Sequence, residues 1–146
     1  MKFLNAFFIG ILFVLAPVFT LFVGLKNNYF AHYGVNEYFN AIFVDNVPFL
    51  WLVPLYFIFG YAMFYGPFRK IFRGFYALLL LACALSWYPK FGLLLGEKIF
   101  MSEPYEKDIS VVKDGTHILN GRDVYVGRDK IYFLLDGSDK VIKIPK

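Results

Sequence analysis

Two histidines, one cysteine and eleven carboxylates are the side chains of this chain best able to bind a metal or move a proton. His32 and His117 fall in different segments, with no HxxxH and no Cys–His spacing, so no zinc ligand set forms along the sequence. Cys83 is alone, which excludes an internal disulfide, and it sits in an apolar run where a thiol packs. His117 lies in an expected strand, next to Ile118, and reads as structural. Asp123 and Asp129 close a repeated Gly-Arg-Asp (Gly121–Asp123 and Gly127–Asp129), and Asp136 and Asp139 flank a third glycine. Paired carboxylates can hold calcium or share acid–base work, but these coincide with turn signals, and turn chemistry accounts for them.

Nucleophiles give no pattern either. Ser86 is inside an apolar run, Ser102, Ser110 and Ser138 have no histidine at useful spacing, and no G-x-S-x-G, P-loop or G-x-G-x-x-G occurs. One polar set stands apart: His32, Glu37 and Asp45 lie between two apolar runs. With the tail carboxylates they are the set a membrane-anchored enzyme or sensor would use. Spacing supports no catalytic, cofactor-binding or metal site, and the expectation is a non-enzymatic protein with no cofactor.

The elements that must carry these residues follow from composition. The chain of 146 residues is 59% hydrophobic and 18% charged, with nineteen Phe and eleven Tyr; soluble domains are about half apolar and a quarter charged. The net charge of +4 belongs entirely to residues 1–96, and the polar tail from Glu97 is balanced. That tail has no basic stripe interleaved with stacking aromatics, which argues against nucleic acid as a partner.

Phe3–Leu25 is twenty-three residues without an ionisable side chain. At 1.5 Å per residue a helix of that length crosses a hydrocarbon core of about 30 Å. It is longer than a secretory h-region, so an uncleaved span is expected. A second uncharged run opens at Asp45-Asn46-Val47-Pro48, with Asn46 as cap and Pro48 in the first turn, and Pro54 should kink it. The third begins near Gly74 and either stops at Pro89 or continues through Lys90–Gly96. The expected fold is therefore an α-helical membrane protein of three transmembrane helices (about 3–25, 47–68 and 72–89) carrying a small C-terminal antiparallel all-β domain.

Orientation follows from Arg69, Lys70 and Arg73, the cations expected in the short 69–73 loop. Dense Lys and Arg near spans stay in the cytoplasm. The N-terminus is then inside, and the 26–46 loop and the tail are outside, as in a multi-pass protein of a bacterial inner membrane. Within the outer loop, Val35, Tyr38, Phe39, Ile42 and Phe43 share one helical face, the pattern of a short interfacial helix, with an aromatic-rich loop as the other reading. Ala6 and Gly10, and Gly92 and Gly96, are small-xxx-small pairs that let helices approach closely.

After a connector at 97–108, residues 109–146 change to β pattern. Asp114-Gly115 and Asn120-Gly121 are two-residue hairpin signals and Asp136–Asp139 a four-residue turn, giving a meander of about five strands or a small barrel. In Lys130–Leu135 both faces are apolar, so that strand should be covered on both sides. A domain this small is marginal alone and should close on itself, rest on the membrane part, or be completed by a partner strand.

Proton relays and ion pathways need ionisable groups within the spans, and the three runs hold none. The leading expectation is an interaction protein, an accessory or assembly subunit of a larger membrane complex. Its partners would be the lipid bilayer and another membrane protein or further copies of itself. Three alternatives stand beside it: an immunity-type protein that binds a pore-forming toxin, by analogy of size and span number alone; the enzyme or sensor above; and a pore or transporter subunit.

Overall fold

The computed structural model describes residues 1–111 and 115–146. The first uncharged run folds as one helix, α1 (Lys2–Leu25), and continues without a break into a π-helical turn at Lys26–Phe30. Ala6, Gly10, Val14 and Pro17 are buried on one face of α1, following the three-to-four-residue helical repeat. Phe3, Leu4, Phe8, Leu12 and Phe19 remain exposed.

The outer loop contains a short helix, α2 (Phe39–Asn46). Of the expected apolar face, Val35 and Ile42 are buried whereas Tyr38 is exposed. Asn46 is not the cap of the next helix. It is the last residue of α2, and its Nδ2 donates to the Ile42 carbonyl at 2.7 Å.

Helix α3 (Val53–Phe64) starts later than the sequence reading placed it, and Pro54 sits in its first turn instead of kinking it. The reason is local. Pro48 and Pro54 cannot both occupy the first turn of one helix, and an interior proline lacks a donor and clashes with the preceding turn. The chain turns first, with the Trp51 and Leu52 amides donating to the Pro48 carbonyl, and only then enters the helix. Twelve helical residues rise only about 18 Å, so α3 is apolar but short. Among the described residues two helical segments, Lys2–Phe30 and Arg69–Trp87, are long and apolar enough to cross a membrane, where three had been expected.

The cationic cluster is helical and not a loop. Arg69, Lys70 and Arg73 begin α4 (Arg69–Ala84), and the connection is Tyr65–Phe68. A 3₁₀ turn at Leu85–Trp87 ends this segment, and Pro89 opens a separate helix, α5 (Pro89–Phe100). Of the expected 97–108 connector, 97–100 are the end of α5 and 105–108 belong to the first strand, so the link is only Met101–Pro104.

Among the described residues four strands follow, where the sequence suggests about five: β1 (Tyr105–Val111), β2 (Gly115–Val126), β3 (Lys130–Leu135) and β4 (Val141–Pro145), an open antiparallel meander in that order. Asn120-Gly121 does not turn. Gly121 pairs Tyr105 on one side and Leu135 on the other, inside a continuous β2. A β-carbon there would overlap the Leu134 carbonyl and press on the Phe133 ring. The glycine therefore serves close strand approach, the second meaning of glycine in a strand pattern. Of the Asp114-Gly115 signal, Asp114 lies outside the described residues, as does the side chain of His117. The Asp136–Asp139 turn forms, with Gly137 at φ +72°. Residues Gly127–Asp129 join β2 to β3, the Gly127 amide donating to the Lys130 carbonyl.

The sheet shares one core with the end of α1. Leu25, Tyr29, Phe30, Val35 and Ile42 pack with Val124, Tyr125 and Tyr132. Tyr132 and Phe133, on opposite faces of β3, are both buried.

Candidate functional site

The polar residues of the outer loop meet the sheet along a seam above the C-terminal end of α1. A β-bulge at Val124, between the paired residues Asp123 and Tyr125, creates its centre. Bulges bend a strand and re-aim its groups; here the Val124 carbonyl accepts the Tyr29 hydroxyl at 2.8 Å in the buried core. Glu37 accepts the Tyr132 hydroxyl at 3.2 Å, and its own carbonyl accepts Lys26 Nζ at 2.6 Å. Asp45 is held by both guanidinium arms of Arg128, at 2.7 and 2.6 Å. Those hydrogen bonds keep the Asp45 carboxyl below the usual carboxylate range. Asn46 adds a bond to the Tyr125 hydroxyl at 3.3 Å.

Glu37 and Asp45 are thus brought to one seam, each engaged by the sheet. His32 is not with them. It is exposed on the far side of the π-helical turn, edge-on to Tyr33 at 4.8 Å. Tyr33 donates to Glu97 of α5 at 2.9 Å, and burial plus this bond push its phenol up to about 12.

A second cluster lies where β1 and β2 meet. Tyr105 donates to Asp123 at 2.6 Å, Lys107 reaches Asp123 at 3.2 Å and the Tyr105 hydroxyl at 3.0 Å, and the Asp123 amide donates to Ser102 Oγ. Burial pulls Lys107 down, but its bonds to Tyr105 and Asp123 outweigh it, and the ammonium is held above its ordinary value. The Tyr105 phenol is raised, by burial first and by Asp123 next. A base or nucleophile of this type needs its hydroxyl made more acidic; this arrangement does the reverse and fixes strand register. Asp129, Asp136 and Asp139 stay in turns, and no group of three His, Cys, Asp or Glu converges on one point among the described residues.

The small-residue pairs sit inside the fold. Gly10 faces the Tyr56 carbonyl and Gly60 faces the Ala6 carbonyl so closely that a β-carbon at either glycine would overlap backbone. Gly92 faces the Ser86 carbonyl and Gly96 the Tyr29 ring in the same way. Ser86, fully buried, donates to the Cys83 carbonyl at 2.7 Å, and Trp87 donates to the Thr20 carbonyl at 2.8 Å, joining the end of α4 to α1.

At the opposite end, Arg73 Nε donates to the Met63 carbonyl at 3.2 Å, and its guanidinium lies 5.6 Å from the Phe64 ring centre. Arg69 and Lys70 occupy the N-terminus of α4, with no acidic residue in that turn. Cations at the positive end of a helix dipole are disfavoured by about 0.3–1 kcal/mol each. Helix stability therefore does not explain their position.

The Arg128 and Tyr29 contacts were not anticipated from sequence; both join segments more than eighty residues apart, and no local pattern signals them. No family model matches this chain, and no curated protein or solved structure is significantly similar to it.

Proposed function

We propose that this chain is an integral membrane protein that acts by binding, as an accessory or assembly subunit of a larger membrane complex. The observation that carries the membrane part is what the long apolar helices fail to bury. Only 28% of the most apolar stretch of Lys2–Phe30 and 11% of that of Arg69–Trp87 is buried. A helix at the core of a water-soluble protein hides most of its apolar surface; here Phe8, Leu12, Phe57, Ile58, Phe75, Leu78 and Leu81 all face outward. Contiguous apolar surface on several helices is what hydrocarbon would solvate.

Polar decoration supports the orientation. Arg69, Lys70 and Arg73 gather at one end, and Trp51, Trp87 and Tyr88 are exposed toward the other. On this reading the cationic end is cytoplasmic and the sheet extracytoplasmic, in a bacterial inner membrane. The short α3, with its preceding turn and Trp51, completes the second crossing by drawing headgroups inward, as short apolar segments do.

The binding part rests on how the polar residues are used. Glu37 and Asp45 serve to hold the sheet, and Lys107 and Asp123 serve strand register. The open sheet leaves β1 and β4 as its two edges, and an edge is a surface to which a partner can add a strand.

Extraction and pull-down test both parts. The chain should leave membranes only with detergent and bring a stoichiometric protein with it in mild detergent. A chain that is monodisperse without detergent ends the membrane reading, and a chain that always purifies alone and monomeric ends the accessory-subunit reading.

A further inference from the structure

Where α1 ends and α5 begins, the chain forms an open cleft of about 350 Å³ lined by Asn27, Asn28, His32, Pro89, Lys90 and Leu93. The π-helical turn shapes one wall: it buries Tyr29 and Phe30 and leaves Asn27 and His32 exposed beyond them. Gly92 shapes the other, since a β-carbon there would overlap the Ser86 carbonyl and come within 2.8 Å of Asn28 Cβ. Among the described residues Lys90 makes no ion pair, both carboxylate pairs being elsewhere. Asn28 is already committed, donating to the Ser86 carbonyl at 2.8 Å. The cleft thus brings an ammonium, an imidazole and a free amide to one opening that a small anion could enter, and no carboxylate lines it.

Its surroundings say what carries that anion. Trp87 and Tyr88 precede Lys90 and are more than half exposed, and Phe91 and Leu94 continue an uncovered apolar face along α5. An anionic centre bordered by exposed aromatics and aliphatics suits an amphiphile better than a free ion. Near-surface lysines are the usual partners of acidic lipid headgroups, and an ammonium binds phosphate as a point charge.

We propose that this cleft binds the phosphate of an anionic phospholipid of the outer leaflet, with Lys90, His32 and Asn27 on the headgroup and the acyl chains against Phe91 and Leu94. The proposal rests on the membrane reading above.

Native mass spectrometry of the full chain in detergent, titrated with dioctanoyl phosphatidylglycerol, tests it. One lipid should be retained per chain, in preference to dioctanoyl phosphatidylcholine. Lys90→Gln should weaken retention about fivefold, the loss of one near-surface cation, and adding His32→Gln should weaken it further. Lys98→Gln, at the far end of α5 and outside this cleft, should leave it unchanged. Equal retention of the two lipids, indifference to Lys90→Gln, or an equal loss in Lys98→Gln each overturns the site. Displacement by inorganic phosphate at concentrations equal to the lipid would make it a free-phosphate site and overturn the lipid assignment. Failure of the membrane reading is seen separately, as a chain that stays in solution without detergent.

Discussion

Tyr29 donates its hydroxyl to the carbonyl of Val124, ninety-five residues later in the chain, at 2.8 Å and out of contact with water. One partner is on the π-helical extension of α1; the other is the bulged residue of the sheet. Tyr29→Phe keeps the ring and removes the donor, leaving a buried carbonyl unpaired at a cost of about 1–3 kcal/mol. The thermal midpoint in detergent should fall, and amide exchange should quicken in Tyr125 and Val126 before it does in α1. Tyr33→Phe, whose hydroxyl is only part-buried, should cost less. Equal midpoints for wild type and Tyr29→Phe would show that the sheet is held by packing alone.

That contact also marks the limit of what the sequence discloses. Uncharged runs and alternating strands are local patterns, and α1, α4, β3 and the turn at Asp136–Asp139 follow from them. Two misreadings share a cause. Asn120-Gly121 reads as a turn, and Pro54 as a kink, only when each is taken with its neighbours. The strands on both sides of Gly121 and the second proline at Pro48 decide otherwise. The seam itself, with Asp45 on Arg128 and Tyr29 on Val124, depends on which distant segments meet, and no periodicity encodes that. His32, Glu37 and Asp45 look like one polar set in sequence, yet the π-helical turn sends His32 to a different face.

Close approach of α1 and α3 gives a second prediction. A β-carbon on Gly10 would overlap the Tyr56 carbonyl and one on Gly60 the Ala6 carbonyl, so the backbones must separate if either gains a side chain. Gly10→Ala or Gly60→Ala should destabilise by about 1–3 kcal/mol, the range for overpacked sites. Gly74, inside α4 with nothing near its missing β-carbon, is the contrast. Gly74→Ala should stabilise slightly, by about 0.5–1 kcal/mol from helix propensity. Unfolding in mixed micelles compares the three, and a Gly10→Ala variant as stable as Gly74→Ala would refute the contact.

The Asp45–Arg128 clamp makes stability depend on pH in one direction. Arg128 holds the folded Asp45 carboxyl below its ordinary 3.8, so the unfolded chain binds the proton more readily. Stability from this pair is fully present above 3.8 and is lost as pH falls through the lower folded value. Both groups are at the surface, so the effect is small and screened by salt. Thermal midpoints measured between roughly pH 6 and 2 should fall less steeply in Asp45→Asn than in wild type, most visibly at low ionic strength. Parallel curves for the two would mean the ion pair contributes nothing to folding.

Orientation gives the last prediction, and it separates charge position from charge count. Arg69 and Lys70 sit at the unfavourable end of the α4 dipole, without an acidic partner in that turn, so on the membrane reading their position reflects anchoring to the cytoplasmic side. Positive charge acts on topology within about 15–20 residues of a span and little beyond it. Replacing Arg69, Lys70 and Arg73 with glutamate should therefore move a reporter fused after Lys146 from the extracytoplasmic side to the cytosol in a large share of molecules. Replacing Lys140, Lys143 and Lys146 with glutamate changes the net charge by the same amount far from any span, and the reporter should stay where it is. If the two triple variants behave alike, the cluster at the start of α4 is not what orients the chain.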